Sequence, residues 1–260
     1  MKKINVIIPT KNPSMKNSRL VRAIRTVEKQ SIPSNITVEI HIGVDKDSRV
    51  SLDYNRFRLP VSVSKSNGQS QAKALNAAIE DSDGELITFL EDDDQWHAKY
   101  IHYSLAVLVD NVDFVTTNQI EIDSEGKIIG ILDYATPSGW LLKREAIQKS
   151  GAFNENFQLH LDNEFLGRAK KNELRRIHMV EKTAPIMQSI IRERRPHMWR
   201  IINFYGQYLK IARHQEFYPL VTREVRYESN LAKTRTDQSW AMRSRQEYAV
   251  LRKLFGKSPW

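Results

Sequence analysis

Four consecutive carboxylates, Glu91-Asp92-Asp93-Asp94, follow directly on the apolar run Leu86 to Leu90. Neighbouring carboxylates at the end of a strand repel one another, so the arrangement costs stability unless a counter-charge is present. A divalent cation removes that cost. Hard ions such as Mg²⁺ and Mn²⁺ take oxygen ligands, typically one or two carboxylates together with substrate phosphates. A cation held there would neutralise a diphosphate leaving group. Taken alone, an acidic run is more often a solvated turn, here one capping a helix that begins near Trp96.

Other polar residues fall at comparable places. Asp45, in VDKDS, closes an alternating segment and could accept hydrogen bonds from a ribose or a base edge. Thr10, in Pro9-Thr10-Lys11-Asn12, follows the first apolar run. Lys73 stands a few residues after Asn67-Gly68, a cation able to reach a diphosphate. Asp162 sits where a helix begins and suits either a general base or a helix N-cap.

The elements that must position these groups are legible from their periods. Ile4 to Ile8 reads as a buried strand, and Val38, Ile40, Ile42 and Val44 alternate on one face of a second. Between them Leu20, Ala23, Ile24 and Val27 recur at helical spacing. Val61 and Val63 mark a third strand, and Ser70 caps a helix carrying Ala72, Leu75 and Ile79. Strand, helix, strand, helix, strand argues for a mostly parallel sheet flanked by helices, with ligands beyond the strands' carboxyl ends.

The second half predicts a helix through Ile101, Leu105 and Leu108, a strand at Phe114 to Thr117, and a turn at Asp123 to Gly126 between two short strands. Helices follow at Lys143 to Ser150 and from Asp162. From Pro196 the chain reads as mostly helical, with Trp199, Ile202, Tyr205 and Leu209 on one face and Tyr248, Leu251 and Phe255 on a last helix.

The 260 residues include no cysteine, which excludes disulfides, thiolate metal sites and a cysteine nucleophile. No stretch approaches the roughly 18 apolar residues of a membrane span, and a cytoplasmic protein, peripheral to a membrane at most, is expected. The net charge of +9 is uneven: residues 1–191 hold 25 Lys and Arg against 25 Asp and Glu, residues 192–260 hold 15 against 6. A basic segment attracts phosphates, whether in a nucleotide, a nucleic acid or an anionic membrane.

INVIIPTKN, EIHIGVDKDS and SNGQSQAKALNAAIEDSDGELITFLEDDDQW, in that order over roughly residues 3–97, resemble the N-terminal half of inverting family-two glycosyltransferases of the GT-A fold. LKREAIQKSGAFNENFQLHLDNEFLGRAKK resembles, more weakly, the family's stretch in which a glycine-phenylalanine turn precedes an acidic catalytic motif and a helix. The resemblance implies an α/β, GT-A (Rossmann-like) mixed sheet in a catalytic domain over 1–191. Its nucleotide-binding half covers about 1–97 and its acceptor half about 98–191, with a basic, mainly helical extension over 192–260. It also implies roles: Asp45 contacts the nucleoside, Lys73 lies in the nucleotide-binding helix, and the DXD-type acidic motif holds Mn²⁺ or Mg²⁺ and touches the ribose. Asp93 is the first choice for the metal, with Asp94 beside it and Asp92 on the nucleotide, although adjacent aspartates can exchange these roles. Glu91 stands where the family has aspartate, and its longer arm either serves there or displaces the metal.

The family's Glu-Asp pair reads Leu161-Asp162 here, which makes Asp162 the implied base and leaves Glu164 a rival. The implied reaction is non-processive, hexosyltransferase-like transfer with inversion, in glycan or surface-polysaccharide assembly. The donor is a nucleotide-diphosphate sugar, a UDP-sugar favoured, and the acceptor a glycan, a lipid-linked group or a protein. The arginine-rich motif of polymer-making members is absent. Ser138-Gly139-Trp140 would offer an aromatic face to the acceptor, and His197, with Arg192 and Arg195, a further metal or diphosphate contact. A nucleotidyltransferase is a rival, though PTKNPSMKN lacks the glycines of a phosphate loop. A nucleic-acid or anionic-surface binder led by the basic segment is another. No nucleic acid is expected as partner, whereas the basic segment leaves room for peripheral contact with an anionic membrane.

Overall fold

A computed structural model of the chain describes residues 1–132, 136–182, 209–225, 233–234 and 236–256. The first half folds as its periods predict. Strands β1 (Lys2–Thr10), β2 (Ile36–Val44), β3 (Val61–Lys65) and β4 (Leu86–Phe89) run parallel, β1 lying between β2 and β4. Helix α1 (Ser18–Glu28) buries Leu20, Ala23, Ile24 and Val27 in one apolar cluster with Ile4, Val6 and Ile8. Helix α2 (Gln71–Glu80) buries Ala72, Leu75, Ala78 and Ile79 in a second cluster, with Ile7. Alternate residues of β1 therefore serve opposite layers, and the strand is buried on both faces. Gly43 marks where α2 crosses β2: a Cβ there would run into the Ala74 carbonyl.

β5 (Asp94–Trp96) and helix α3 (Tyr100–Val107) come next, then β6 (Phe114–Thr117), β7 (Gln119–Ile122), β8 (Ile128–Leu132) and β9 (Trp140–Lys143). The helix expected near Trp96 starts only at Tyr100, because Asp94–Trp96 is drawn into a ladder. The rest is α4 (Arg144–Ser150), α5 (Leu161–Lys171), β10 (Arg176–Val180), β11 (Leu209–Arg213), β12 (Val221–Glu224) and a final helix, α6 (Gln238–Phe255). Eight strands form one sheet in the order β11-β10-β6-β9-β4-β1-β2-β3, in which β9 runs antiparallel to both neighbours. A second sheet has the order β5-β12-β7-β8.

The expected mixed, mostly parallel sheet flanked by helices is therefore present, and α6 supplies the helical C-terminal part. Two strands precede α6 where helix was expected. Leu209 begins β11, paired parallel to β10, and β12 inserts between β5 and β7. Trp199, Ile202 and Tyr205 lie outside the described residues. No helix among those described is long and apolar enough to cross a membrane.

Candidate active site

The acidic run is the crossover between the two sheets: β4 ends at Phe89 in the first and β5 begins at Asp94 in the second. Leu90 is buried and its N–H donates to the Ile7 carbonyl, so the run leaves the sheet beside the end of β1. The carboxylates then separate. Asp92 accepts from Thr10 Oγ1 at 2.5 Å and from Asn17 Nδ2 at 3.5 Å. Glu91 accepts from Gln71 Nε2 at 2.6 Å. Asp94 accepts from Ser138 Oγ at 2.6 Å, and the same oxygen receives the Glu91 N–H at 3.0 Å. Glu91, Asp93 and Asp94 each offer a carboxylate oxygen within 4.8 Å of the others.

Burial, reinforced by Glu91 and opposed by Arg223, raises the Asp94 carboxyl well above the usual range. Burial also raises Glu91, with Arg223 again opposing and Asp93 and Asp92 adding to the rise. Asp94 Oδ1 is buried with no hydrogen-bond partner among the described residues. An orphaned carboxylate oxygen beside two other carboxylates is a hard-oxygen donor set, and it fits a divalent cation. Glu91 belongs to this trio, while Asp92 turns away to Thr10.

Asp45 accepts the Ser70 N–H at 3.1 Å, which ties the end of β2 to the cap of α2. Ser70 Oγ in turn accepts the Lys73 N–H at 3.1 Å. The Lys73 side chain lies over Gly68, where a Cβ would meet Nζ. Thr10, Asp45, Lys73 and the acidic run thus gather at the carboxyl ends of β1, β2 and β4, where α/β sheets bind ligands.

Asp162 is half-buried in the first turn of α5, its Oδ1 accepting the neighbouring Asn163 N–H at 2.8 Å. Burial raises its pKa to about 6, with Glu91 adding to the rise and Arg223 opposing it. Glu91 and Asp162, far apart in sequence, therefore share one field. The rival Glu164 is 2% exposed and fully engaged by Arg168, whose Nε reaches its two oxygens at 2.8 and 3.0 Å. Arg168 also donates to the carbonyls of Ser150, Gly151 and Ala152, so this pair ties α5 to the end of α4.

Trp140 offers no face to an acceptor. It is 0% exposed and packs with Phe89, Phe153 and Phe165, because β9 lies inside the sheet with both faces covered. Its neighbour Ser138 is the residue of that segment that touches the acidic run. His197, Arg192 and Arg195 lie outside the described residues.

Two residues at this centre escape a reading of the sequence, Gln71 and Arg223. Gln71 looks like an ordinary first residue of a helix. Ser138, expected from the sequence beneath an acceptor, meets Glu91 and Asp94 instead. Arg223 arrives on β12, opposite Asp94 in the ladder with β5, and only the tertiary pairing reveals it.

Comparisons with known proteins agree with this fold. The family model described as glycosyl transferase family 2 matches residues 5–162. A search of curated proteins finds no match. Among solved structures, S. aureus TarS 1-349 is similar at 18% identity and a TM-score of 0.50, over 65% of this chain and 56% of that one. The same fragment in complex with UDP matches at 15% identity and a TM-score of 0.56, over 98% and 72%. Its complex with UDP-GlcNAc matches at 14% identity and 0.56, over 93% and 66%. This chain spans 43% of the length of the longer S. aureus TarS structure. At such identities the likeness is one of fold, and the fold is GT-A-like. Matched by the family model over more than half its length, with the matched span running from β1 to Asp162, the chain belongs to glycosyl transferase family 2.

Proposed function

We propose that the chain transfers a sugar from a nucleotide-diphosphate sugar to an acceptor hydroxyl by a single displacement with inversion. Asp162 accepts the acceptor's proton, the freed oxygen bonds to the anomeric carbon, and the bond from that carbon to the diphosphate breaks. When bound by Asp93 and Asp94, with Glu91 in reach, Mn²⁺ or Mg²⁺ supplies positive charge against the departing diphosphate. Lys73 lies towards the same phosphates, Asp45 takes the nucleoside, and Thr10 holds Asp92 in place to meet the ribose. The donor-binding half covers about residues 1–97, and residues 98–191 take the acceptor.

The observation that carries this reading is the acidic trio Glu91, Asp93 and Asp94 just beyond β4, whose member Glu91 also adds to the rise of the Asp162 carboxyl. A UDP-sugar is the favoured donor, since S. aureus TarS is described with UDP and with UDP-GlcNAc. A cytoplasmic setting, with glycan, lipid-linked or protein acceptors, is part of the same proposal.

The test is thermal unfolding against a panel of nucleotide sugars, with and without Mn²⁺. At least one donor should stabilise the chain only when metal is present, and Asp93→Ala should abolish that shift while leaving the fold intact. A panel with no stabilising donor under either condition would sink the proposal.

A further inference from the structure

The final helix reaches the segment that carries Asp162 through a buried carboxylate. Glu247, 7% exposed, accepts three successive backbone N–H groups: Gln158 at 2.9 Å on Oε1, and Leu159 and His160 at 3.0 Å each on Oε2. Successive amides turned to one side form a concavity for an anion, and α6 supplies the anion from outside the segment. His160, the N-cap of α5, makes no side-chain capping bond of its own. Its ring instead meets Ser244 Oγ at 2.9 Å and lies 4.0 Å, centroid to centroid, from the Tyr248 ring. Further along, Gly167 of α5 leaves room for Phe255: a Cβ there would strike the ring. Helix α6 thus holds α5 at both its beginning and its middle.

We propose that Glu247 is a positioning residue for Asp162, fixing the backbone from which that carboxylate projects; the inference rests on the assignment of Asp162 as base. A carboxylate is costly to bury, even one that also meets Arg243 Nε at 3.3 Å, and an apolar side chain would fill the same space at lower cost. What a carboxylate adds is direction. Three amide vectors are fixed at once, ending at His160, two residues before Asp162. A catalytic group must be held to within about 0.5 Å of its working place, and a displacement of about 1 Å costs on the order of a hundredfold in rate.

Glu247→Gln in the full chain keeps the volume but replaces one accepting oxygen with an amide NH₂ that donates and cannot accept. With a UDP-sugar donor and Mn²⁺, kcat should fall about ten- to a hundredfold, while the donor KM and the donor-induced thermal shift stay as in the unsubstituted chain. Amide hydrogen exchange at 158–163 should quicken. Ser244→Ala, which releases only the His160 ring, is the milder variant should Glu247→Gln fail to fold, and it should move kcat and exchange the same way by less. Unchanged kcat, or unchanged exchange at 158–163, overturns the proposal. So does a loss of donor binding that parallels the loss of kcat, because that marks general disruption. If the unsubstituted chain neither binds nor turns over a donor, the assigned reaction fails. The exchange measurement then decides on its own whether Glu247 holds the segment.

Discussion

Arg223 stands directly opposite Asp94 in the antiparallel ladder between β12 and β5. Its charge opposes the burial that raises Glu91, Asp94 and Asp162 alike. The strand that carries it is anchored by Glu224, which meets Arg22 of α1 at 2.7 Å. Arg223→Met should therefore destabilise the metal-free chain by about 1–3 kcal/mol, less than the ~3–5 of a fully buried pair because Arg223 is only half-buried. With the cation gone the acidic trio binds Mn²⁺ more tightly. The metal-induced rise in Tm should thus exceed that of the unsubstituted chain. Unfolding curves recorded in EDTA and in Mn²⁺ check both.

Asp162 must be ionised to accept a proton, and burial raises its pKa to about 6. Transfer should rise as pH increases through about 6 and be lost below it. Asp162→Asn should keep donor binding and lower kcat by about 10²- to 10⁴-fold. A pH profile of kcat together with donor-induced thermal shifts checks both halves.

The same carboxyl makes a stability prediction of known sign. Its folded pKa, about 6, lies above its ordinary value of 3.8. The folded state therefore holds this proton more firmly, and the stabilisation is fully present below 3.8 and lost as pH rises through about 6. At pH 7.5 the unsubstituted chain carries an ionised, half-buried carboxylate that Asp162→Asn lacks. The variant should be the more stable by about 1–3 kcal/mol there, with the advantage vanishing as pH approaches 4. Urea midpoints at several pH values measure it.

Glu164→Gln should do the opposite. It leaves the half-buried Arg168 without its carboxylate partner, a change worth about 1–3 kcal/mol, while turnover per folded molecule stays near that of the unsubstituted chain. Denaturant titration beside an activity assay at low temperature separates this outcome from that of a base, for which turnover would collapse.

Local pattern explains why the first half was legible. The alternation in β2, the 3.6-residue recurrence in α1 and the Ser70 cap of α2 are written in adjacent residues, and the structure follows them. The acidic run was legible because it abuts a buried strand. β5, β11 and β12 were not. Asp94–Trp96 is only three residues long and becomes a strand because Val221 to Arg223 pair with it. Leu209–Arg213, reading LKIAR, has no clean alternation and is a strand through β10. Trp140 misled because its small neighbours suggest an exposed turn, while its place in β9, between β4 and β6, buries it. Arg223 and Glu247 were invisible for the same reason: their partners are supplied by the fold, not by sequence neighbours.

The insertion of β12 between β5 and β7 also sets a timetable. During synthesis, at about 5–20 residues per second, Asp94 emerges on the order of ten seconds before Arg223. Throughout that interval the nascent chain carries its carboxylates without the cation that faces them, and β5 without the strand that defines it. The pairing that completes this centre thus waits on the last of the described strands to be made.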